Sequence, residues 1–417
     1  MNISLLTYGS RGDVQPFVAL GVALQQAGHH VRLAAPERFA AFVSAHHIDF
    51  APLPGDPAEL SRQLVEEAGN NLYKVSKKIR DFAMPIAVEV FDRLEAACVD
   101  TDAIVYSFLL AIPGHFIARE RHVPDYIAQL QPIMTPTRAF PMMMFPEAPI
   151  LRGRYNAFTH RLFNQIFWHA NRISYKLVRR THPTLPPNII WPLRKDNPHR
   201  PHQLYAFSER VIPKPHDWGD EAHIIGYWTL QATDNWQPSD TLSDFLAAGD
   251  PPIYIGFGSM VSQHIEALMT MSIGALKKIN QRGILGTGWA GITNDDLPDT
   301  ILKVESVPHS WLFPQMAAIV HHGGAGTTGA ALRSGAPSLV VPFFGDQFMW
   351  GKRTAQLGVG PSPLPLKHFT PDNIALALHT MATYAPMRQR AAALGAHLQA
   401  EDGAQAAAQR IVARTTT

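Results

Sequence analysis

The sequence predicts an α/β chain built from two Rossmann-like halves, and three observations carry this expectation. Short apolar runs alternate with amphipathic stretches of helical length in both halves, the pattern of parallel strands and crossover helices. Two of these runs feed glycine-bearing turns, YGSRGD at Tyr8–Asp13 and HHGGAGTT at His321–Thr328. A polar stretch bounded by proline and glycine, Trp236–Pro252, separates the halves. The boundaries that follow are 1–235 for the first domain, 236–252 for a linker with one short helix, 253–395 for the second domain, and 396–417 for a last helix.

The first half opens on a strand at Asn2–Thr7. After the loop Tyr8–Asp13, a helix spans Val14–Ala27, with Pro16 in its first turn and Gly28 past its end. Val31–Ala35 closes a βαβ unit of the usual right-handed kind. The loop lacks the G-x-G-x-x-G spacing and a closing acidic residue, which weakens a dinucleotide-binding reading. Residues 37–100 read as helices and loops, with a basic cluster at Lys74–Arg80. That cluster is either a solvated helix face or a contact for anionic lipid headgroups. Strands follow at Ala103–Ser107 and Ile127–Leu130. From Pro132 to Arg180 the pattern turns irregular. Three adjacent methionines, Met142, Met143 and Met144, precede Phe145 between prolines, and methionine adapts to irregular apolar shapes. This segment is read as an acceptor pocket or a membrane-touching loop. Strands at Leu204–Phe207 and Ile224–Gly226 end the half.

The second half opens on the strand of IYIGFGS at Ile253. A helix at Gln263–Asn280 and strands at Gly283–Thr287 and Ile301–Val304 come next. Ala317–Val320 is a strand that ends in paired histidines. Gly323, Gly324 and Gly326 open a tight loop, and Thr327–Arg333 is a helix closed by Gly335. Ser338–Val341 is the last strand, and its loop carries Asp346 and Gln347. Helices at Phe348–Leu357 and Pro386–Ala413 complete the chain.

Composition narrows the function. At 417 residues the chain has room for two domains, and 46% hydrophobic content fits large cores. A net charge of +2 gives no footprint for nucleic acid. Cys98 is the single cysteine, so no internal disulfide forms, and a reducing, cytoplasmic setting is expected, with peripheral membrane contact left open. No apolar run reaches transmembrane length, and the N-terminus reads as a strand rather than a signal peptide. No metal is expected: Asp295-Asp296 lies in a polar loop without further ligands.

A glycine-rich turn feeding a helix bares N–H groups and the positive end of the helix dipole, a site for phosphate. A carboxylate and an amide one strand later suit a hydroxyl-rich group beside it. Phosphate with polyol suggests a nucleotide sugar. The full string, HHGGAGTT followed by a Gly-Ala-Pro strand and PFFGDQ, resembles the donor signature of UDP-dependent glycosyltransferases, and most nearly the sterol 3-beta-glucosyltransferase and antibiotic glycosyltransferase branch. GSRGDVQP resembles the first loop of the sterol branch. The resemblance implies the GT-B fold: two Rossmann-like domains facing across a cleft, with the C-terminal helix crossing back.

It also implies roles. The backbone of Gly324, Ala325, Gly326, Thr327 and Thr328, with the side chains of His322, Ser259 and Thr327, would hold the diphosphate. His321 belongs to the strand. Ser10 and Arg11 would reach the phosphates from the first domain. Asp346 and Gln347 would bind sugar hydroxyls; the other reading of Asp346 is a turn cap. Val307 and His309 match the segment that holds the nucleobase. Ser306 stands where many relatives have a stacking tryptophan, so Trp289 is the substitute and dTDP stays open beside UDP. Asp13 stands where many relatives place a histidine base, and its other reading is an N-cap. The expected reaction is inverting transfer of a sugar, glucose first, from a UDP-sugar to a hydroxyl of an apolar acceptor. A nucleotide-sugar epimerase or hydrolase and a silent lipid-binding relative are the alternatives.

Overall fold

The apolar runs pair in parallel across crossover segments, most of them helical, and two sheets result. The computed structural model describes residues 1–63, 72–148, 150–187, 191–194, 196–231, 236–258, 265–286, 294–305 and 307–415. The chain forms two units, Met1–Trp228 with Asp402–Thr417, and Thr229–Glu401.

In the first unit the order is β1 (Asn2–Leu6), α1 (Arg11–Gln26), β2 (His30–Pro36), α2 (Ala40–Ser44), β3 (Asp49–Leu53), α3 (Pro57–Gln63), α4 (Leu72–Ala97), β4 (Ala103–Ser107), α5 (Ala111–Arg121), β5 (Asp125–Gln129), α6 (Arg152–Thr181), β6 (His202–Tyr205) and β7 (Ala222–Ile224). All strands are parallel, in the order β3-β2-β1-β4-β5-β6-β7. The central strands are buried on both faces, as a doubly wound sheet requires: Ile3, Leu5 and Leu6 of β1 and Ile104 and Val105 of β4 have almost no exposure.

Two elements were not legible as such. β3 lies where helices and loops are expected. It is an edge strand and carries Pro52, which an edge tolerates because that N–H need not pair. α6 is a single 30-residue helix where the pattern reads as irregular. Its buried face is partly polar, which hides the apolar period. Asn156 Nδ2 donates to Arg138 O at 2.9 Å, Thr159 Oγ1 accepts from Met142 N at 2.9 Å, and a His160 ring nitrogen meets Phe140 O at 3.2 Å. These bonds pin the methionine segment onto the helix. Met142 is fully buried in the core, and Met143, Met144 and Phe145 pack against it half-buried. Met142 is thus a core residue here rather than an open pocket wall.

In the second unit the order is α7 (Asp240–Ala247), β8 (Ile253–Gly256), α8 (Ile265–Lys278), β9 (Gly283–Leu285), β10 (Ile301–Lys303), α9 (His309–Leu312), β11 (Ala318–His321), α10 (Ala325–Ser334), β12 (Ser338–Val340), α11 (Gln347–Gln356), α12 (Pro371–Thr383) and α13 (Ala385–Gln399). The parallel sheet runs β10-β9-β8-β11-β12. The segment read as a linker belongs to this unit. Ser239 caps α7 by accepting from Leu242 N, and Leu242 is buried with Tyr254, Ile284 and Phe313.

The last helix, α14 (Gly403–Thr415), belongs to the first unit, where it packs on α1. Ala404, Ala407, Ala408 and Ile411 are its buried face, and Tyr126 Oη donates to Ile411 O at 3.2 Å. Its first residue lies against backbone: a Cβ on Gly403 would stand 2.4 Å from the Gly226 carbonyl. Gly403→Ala is expected to lift α14 off and cost about 1–3 kcal/mol, the range for overpacking. Urea unfolding checks this, and a loss below about 0.5 kcal/mol, the scale of an ordinary surface change, would show that the helix start yields freely.

Candidate active site

Ligands in doubly wound sheets bind beyond the carboxyl ends of the strands, where the strand order reverses. In the second unit that point lies between β8 and β11. The turn after β11 is built by glycine. Gly323 takes φ +90°, and a Cβ there would meet Val340 Cγ1 at 2.5 Å and Gln347 O at 3.1 Å. The turn therefore lies directly on the start of the loop helix that carries Asp346 and Gln347. Gly324 is the N-cap of α10, and Gly335, at φ +80°, closes it. The helix begins at Ala325, two residues earlier than expected. Thr328 N already donates to Gly324 O at 2.8 Å, so the N–H groups of Ala325, Gly326 and Thr327 form the open first turn.

His321 and His322 divide as expected by position. His321 ends β11 fully buried, and its Nδ1 accepts from Gly323 N at 3.1 Å. His322 leaves the strand half-buried, between Gly258 of the β8 loop (φ +60°) and Gly324. A Cβ on Gly324 would stand 2.5 Å from His322 Nε2, and one on Gly258 would stand 3.4 Å from Cε1. Burial pushes the His322 imidazole down to about 4, so the ring is neutral at pH 7. His321 Nε2, His322 Nδ1 and Thr328 Oγ1 are buried polar atoms with no hydrogen-bond partner among the described residues. These three atoms lie on residues that precede or open α10, and buried polar atoms of this kind ordinarily have a partner.

The neighbouring loop is held by its own polar groups. Gln347 is buried, and its Oε1 accepts from Phe343 N at 2.7 Å and Phe344 N at 3.2 Å. Asp346 is the N-cap residue of α11 but makes no side-chain cap bond; its Oδ2 accepts from the buried Trp350 indole at 3.1 Å. Trp350 and Gly258 were missed in the sequence. The i, i+4 spacing of Asp346 and Trp350, and the FGS that follows β8, are the signals that point to them. Val307 packs on the unit's core, and His309 opens α9 stacked on Phe313 at 4.2 Å. Ser259 and Trp289 lie outside the described residues.

In the first unit the strand order reverses between β1 and β4, and the turn after β1 sits there. Ser10 is the N-cap of α1, so the helix starts at Arg11 and Asp13 is its third residue rather than its cap. One carboxylate oxygen, Asp13 Oδ2, accepts from Ser10 N at 2.7 Å and from Ser10 Oγ at 2.9 Å. No hydrogen bond engages Oδ1 among the described residues. Gly9, at φ +141°, must lack a side chain, because a Cβ would stand 2.3 Å from Asp13 Oδ2. Burial raises the Asp13 carboxyl, and the two Ser10 bonds oppose that rise. Arg11 folds back on its own unit, its guanidinium 4.8 Å from the Phe42 ring centre and its Nε 3.3 Å from Gln15 Oε1.

Two doubly wound parallel units, each with a glycine-bearing turn where its strand order reverses, are the layout of the GT-B class of glycosyltransferases. Solved structures share the whole fold. The glycosyltransferase of kitacinnamycin aligns with a TM-score of 0.71 at 19% identity over 100% of this chain and 99% of its own, and the calicheamicin glycosyltransferase CalG4 with 0.69 at 17% over 99% and 97%. The Streptomyces sp. SF2575 glycosyltransferase SsfS6, solved with thymidine diphosphate, aligns at 0.65 with 17% identity over 99% of each chain. Residues 3–124 match the glycosyltransferase family 28 N-terminal domain, and residues 289–414 match the erythromycin biosynthesis protein CIII-like C-terminal domain. A sterol 3-beta-glucosyltransferase of Arabidopsis thaliana is 34% identical over 98% of this chain and 67% of its own length. One of Emericella nidulans is 36% identical over 99% of this chain and 30% of its own. The chain thus spans about two thirds of the plant relative and under a third of the fungal one. It belongs to the sterol 3-beta-glucosyltransferase family, whose members are hexosyltransferases.

Among the described residues no cluster of three His, Cys, Asp or Glu is arranged to hold a metal ion, and no helix is long and apolar enough to cross a membrane.

The depressed His322 value sets a pH dependence. The unfolded chain binds a proton at this residue near 6.5, while the folded one resists it to about 4. Its contribution to stability is therefore whole above about 6.5 and is lost as the pH falls towards 4. His322→Gln should lose less stability than the parent between pH 7 and pH 4.5 in urea titrations. Parallel pH curves would place the burial cost elsewhere.

Proposed function

We propose that the protein is an inverting glycosyltransferase that moves glucose from a UDP-sugar to the hydroxyl of an apolar acceptor, a sterol or a related polycyclic alcohol. The observation that carries this reading is the set of orphaned polar atoms on His321, His322 and Thr328 around the N-terminus of α10. In this reading the second unit takes the donor. The bond from the anomeric carbon to the diphosphate oxygen breaks, and charge grows on the leaving group. The first-turn N–H groups of α10 and the neutral His322 donate to that charge, so they stabilise the transition state above the ground state. Asp346, whose Oδ2 receives the Trp350 indole, and Gln347, whose Oε1 serves its own loop, stand beside that turn and are assigned to the sugar hydroxyls.

The first unit supplies the base. Asp13 Oδ2 is held by Ser10, which leaves Oδ1 to take the acceptor proton as the acceptor oxygen attacks the anomeric carbon. The raised carboxyl is a better base than an exposed aspartate. The names of the plant and fungal relatives, both sterol 3-beta-glucosyltransferases, support the acceptor class. Met143, Met144 and Phe145 are candidates for acceptor contact; Met142 acts behind them as core.

The test is product formation by mass spectrometry from UDP-glucose, UDP-galactose or dTDP-glucose with a sterol, a triterpenoid alcohol and a macrolide. A steryl glucoside from UDP-glucose is the expected product. Release of UDP at the same rate without any acceptor would make the protein a hydrolase instead.

Asp13→Asn separates the base from the brace. Both Ser10 bonds reach one oxygen, and an asparagine Oδ1 can accept both. The variant should keep its fold and its UDP affinity while kcat falls about 10²–10⁴-fold. Unchanged kcat with an unchanged pH–rate profile would assign the proton to another group. His322→Ala should lower kcat about 10²–10³-fold, the loss typical of one transition-state donor. Near-normal turnover would remove His322 from the donor site.

A further inference from the structure

Charge is not spread evenly along this chain. The whole sequence carries 36 Lys and Arg against 34 Asp and Glu. Within α6 there is no carboxylate at all, and lysines and arginines recur along its length. The exposed stripe of α6 presents Arg154, Arg161, Arg172, Lys176 and Arg180. None of these five makes an ion pair among the described residues.

The same stripe is apolar in places where an ordinary solvated face would not be. Leu151 at its head is 63% exposed, Phe158 is 57% and Ile173 is 45%, and Ile150 just before it is 96% exposed. Of the seven large hydrophobic residues that stand exposed among those described, these are four. The helix is 30 residues long, about 45 Å, so cations and apolar side chains share one long exposed stripe. The opposite face is anchored. Phe163 stacks on Phe167, Phe167 meets Phe108, and Trp168 meets Trp191 edge-on. The outer residues are therefore displayed by a rigid helix. α4 packs along it and begins with Lys74 and Lys77, both exposed.

We propose that the outer face of α6 docks on an anionic lipid bilayer, the cations meeting headgroup phosphates and carboxylates while Ile150, Leu151, Phe158 and Ile173 enter the acyl boundary. Alternation of this kind suits a fluid surface. Isolated apolar residues between arginines make no continuous dry patch for a folded partner, whereas a headgroup layer accepts both at once. The inference is independent of the donor chemistry.

Vesicle sedimentation of the full chain tests it, with phosphatidylcholine vesicles and with vesicles of about one third phosphatidylserine. The chain should bind the anionic vesicles, bind neutral ones at least about tenfold more weakly, and release as salt rises. Arg154→Glu, Arg161→Glu and Lys176→Glu together should weaken anionic binding on the order of 100-fold or more, since each cation near such a surface is worth a few-fold to tenfold. Leu151→Ser with Phe158→Ser should weaken binding without changing the salt slope, and remains informative if the charge variant misfolds. Melting temperature serves as the fold control. Equal binding to both vesicle types, wild-type binding by a folded charge variant, or binding to soluble polyglutamate but not to vesicles would overturn the proposal.

Discussion

The second unit depends on one close approach, the seating of the Gly323 backbone on Gln347 and Val340. A side chain at Gly323 would overlap Val340 Cγ1 at 2.5 Å, and its φ of +90° suits no other residue well. Because the approach is possible, two successive βα turns become one surface. The turn after β11 supplies N–H groups and the imidazole of His322. The turn after β12 supplies the Asp346 carboxylate, steadied by the buried indole of Trp350. Gln347 contributes to the same joint twice. Its backbone receives Gly323, and its side-chain oxygen holds the N–H groups of Phe343 and Phe344. α10 is braced from behind as well. Gly335 at its C-terminus sits against Gly395 of α13, where a Cβ would stand 2.5 Å from the Gly335 Cα, and Arg333 donates to Glu401 O at 3.1 Å.

The first unit solves a similar problem with a different residue. Its turn lies at the reversal of strand order too, and Gly9 again makes room, here for a carboxylate instead of a backbone. Asp13 is both a brace of the helix start and a charged group on a partly open turn. The brace uses one oxygen only. A brace of this kind leaves Oδ1 outside the Ser10 bonds, so a structural role for Asp13 and the proposed role as base do not exclude each other.

Legibility followed periodicity. Strands buried on both faces, such as β1, β4 and β8, stand out as apolar runs, and the glycine turns that follow them are readable as turns. That the strands run parallel, with both turns at their carboxyl ends, then follows from the βαβ pattern. Elements with mixed faces were hidden. β3 carries a proline, and α6 buries Asn156, Thr159 and His160 against a loop far from it in sequence, so its helical period is broken by residues whose partners the sequence does not reveal. Helix starts were read two or three residues late at α1 and α10, because Ser10 and Gly324 cap them in extended conformation just before the glycine-rich stretch ends. At the site, residue identity was readable but service was not. Nothing local says that the Gln347 oxygen is spent on its own loop, that Arg11 lies over Phe42, or that Met142 is core.

The groups gathered at the α10 turn are dipoles rather than ions. The helix N-terminus carries about half a positive charge, and the histidine beside it is neutral because burial removes its proton near neutral pH. A permanent cation at this depth would need its own desolvation to be offset before any ligand arrived. Fixed dipoles carry a far smaller cost, and in the proposed function they are already aligned when charge begins to collect on a departing oxygen. Full cations recur elsewhere, five of them on the exposed stripe of α6, where water keeps their solvation intact and their long stems can lie along an apolar surface. Dipoles are buried where charge has to develop, and full charges are kept in water where attraction over distance is useful.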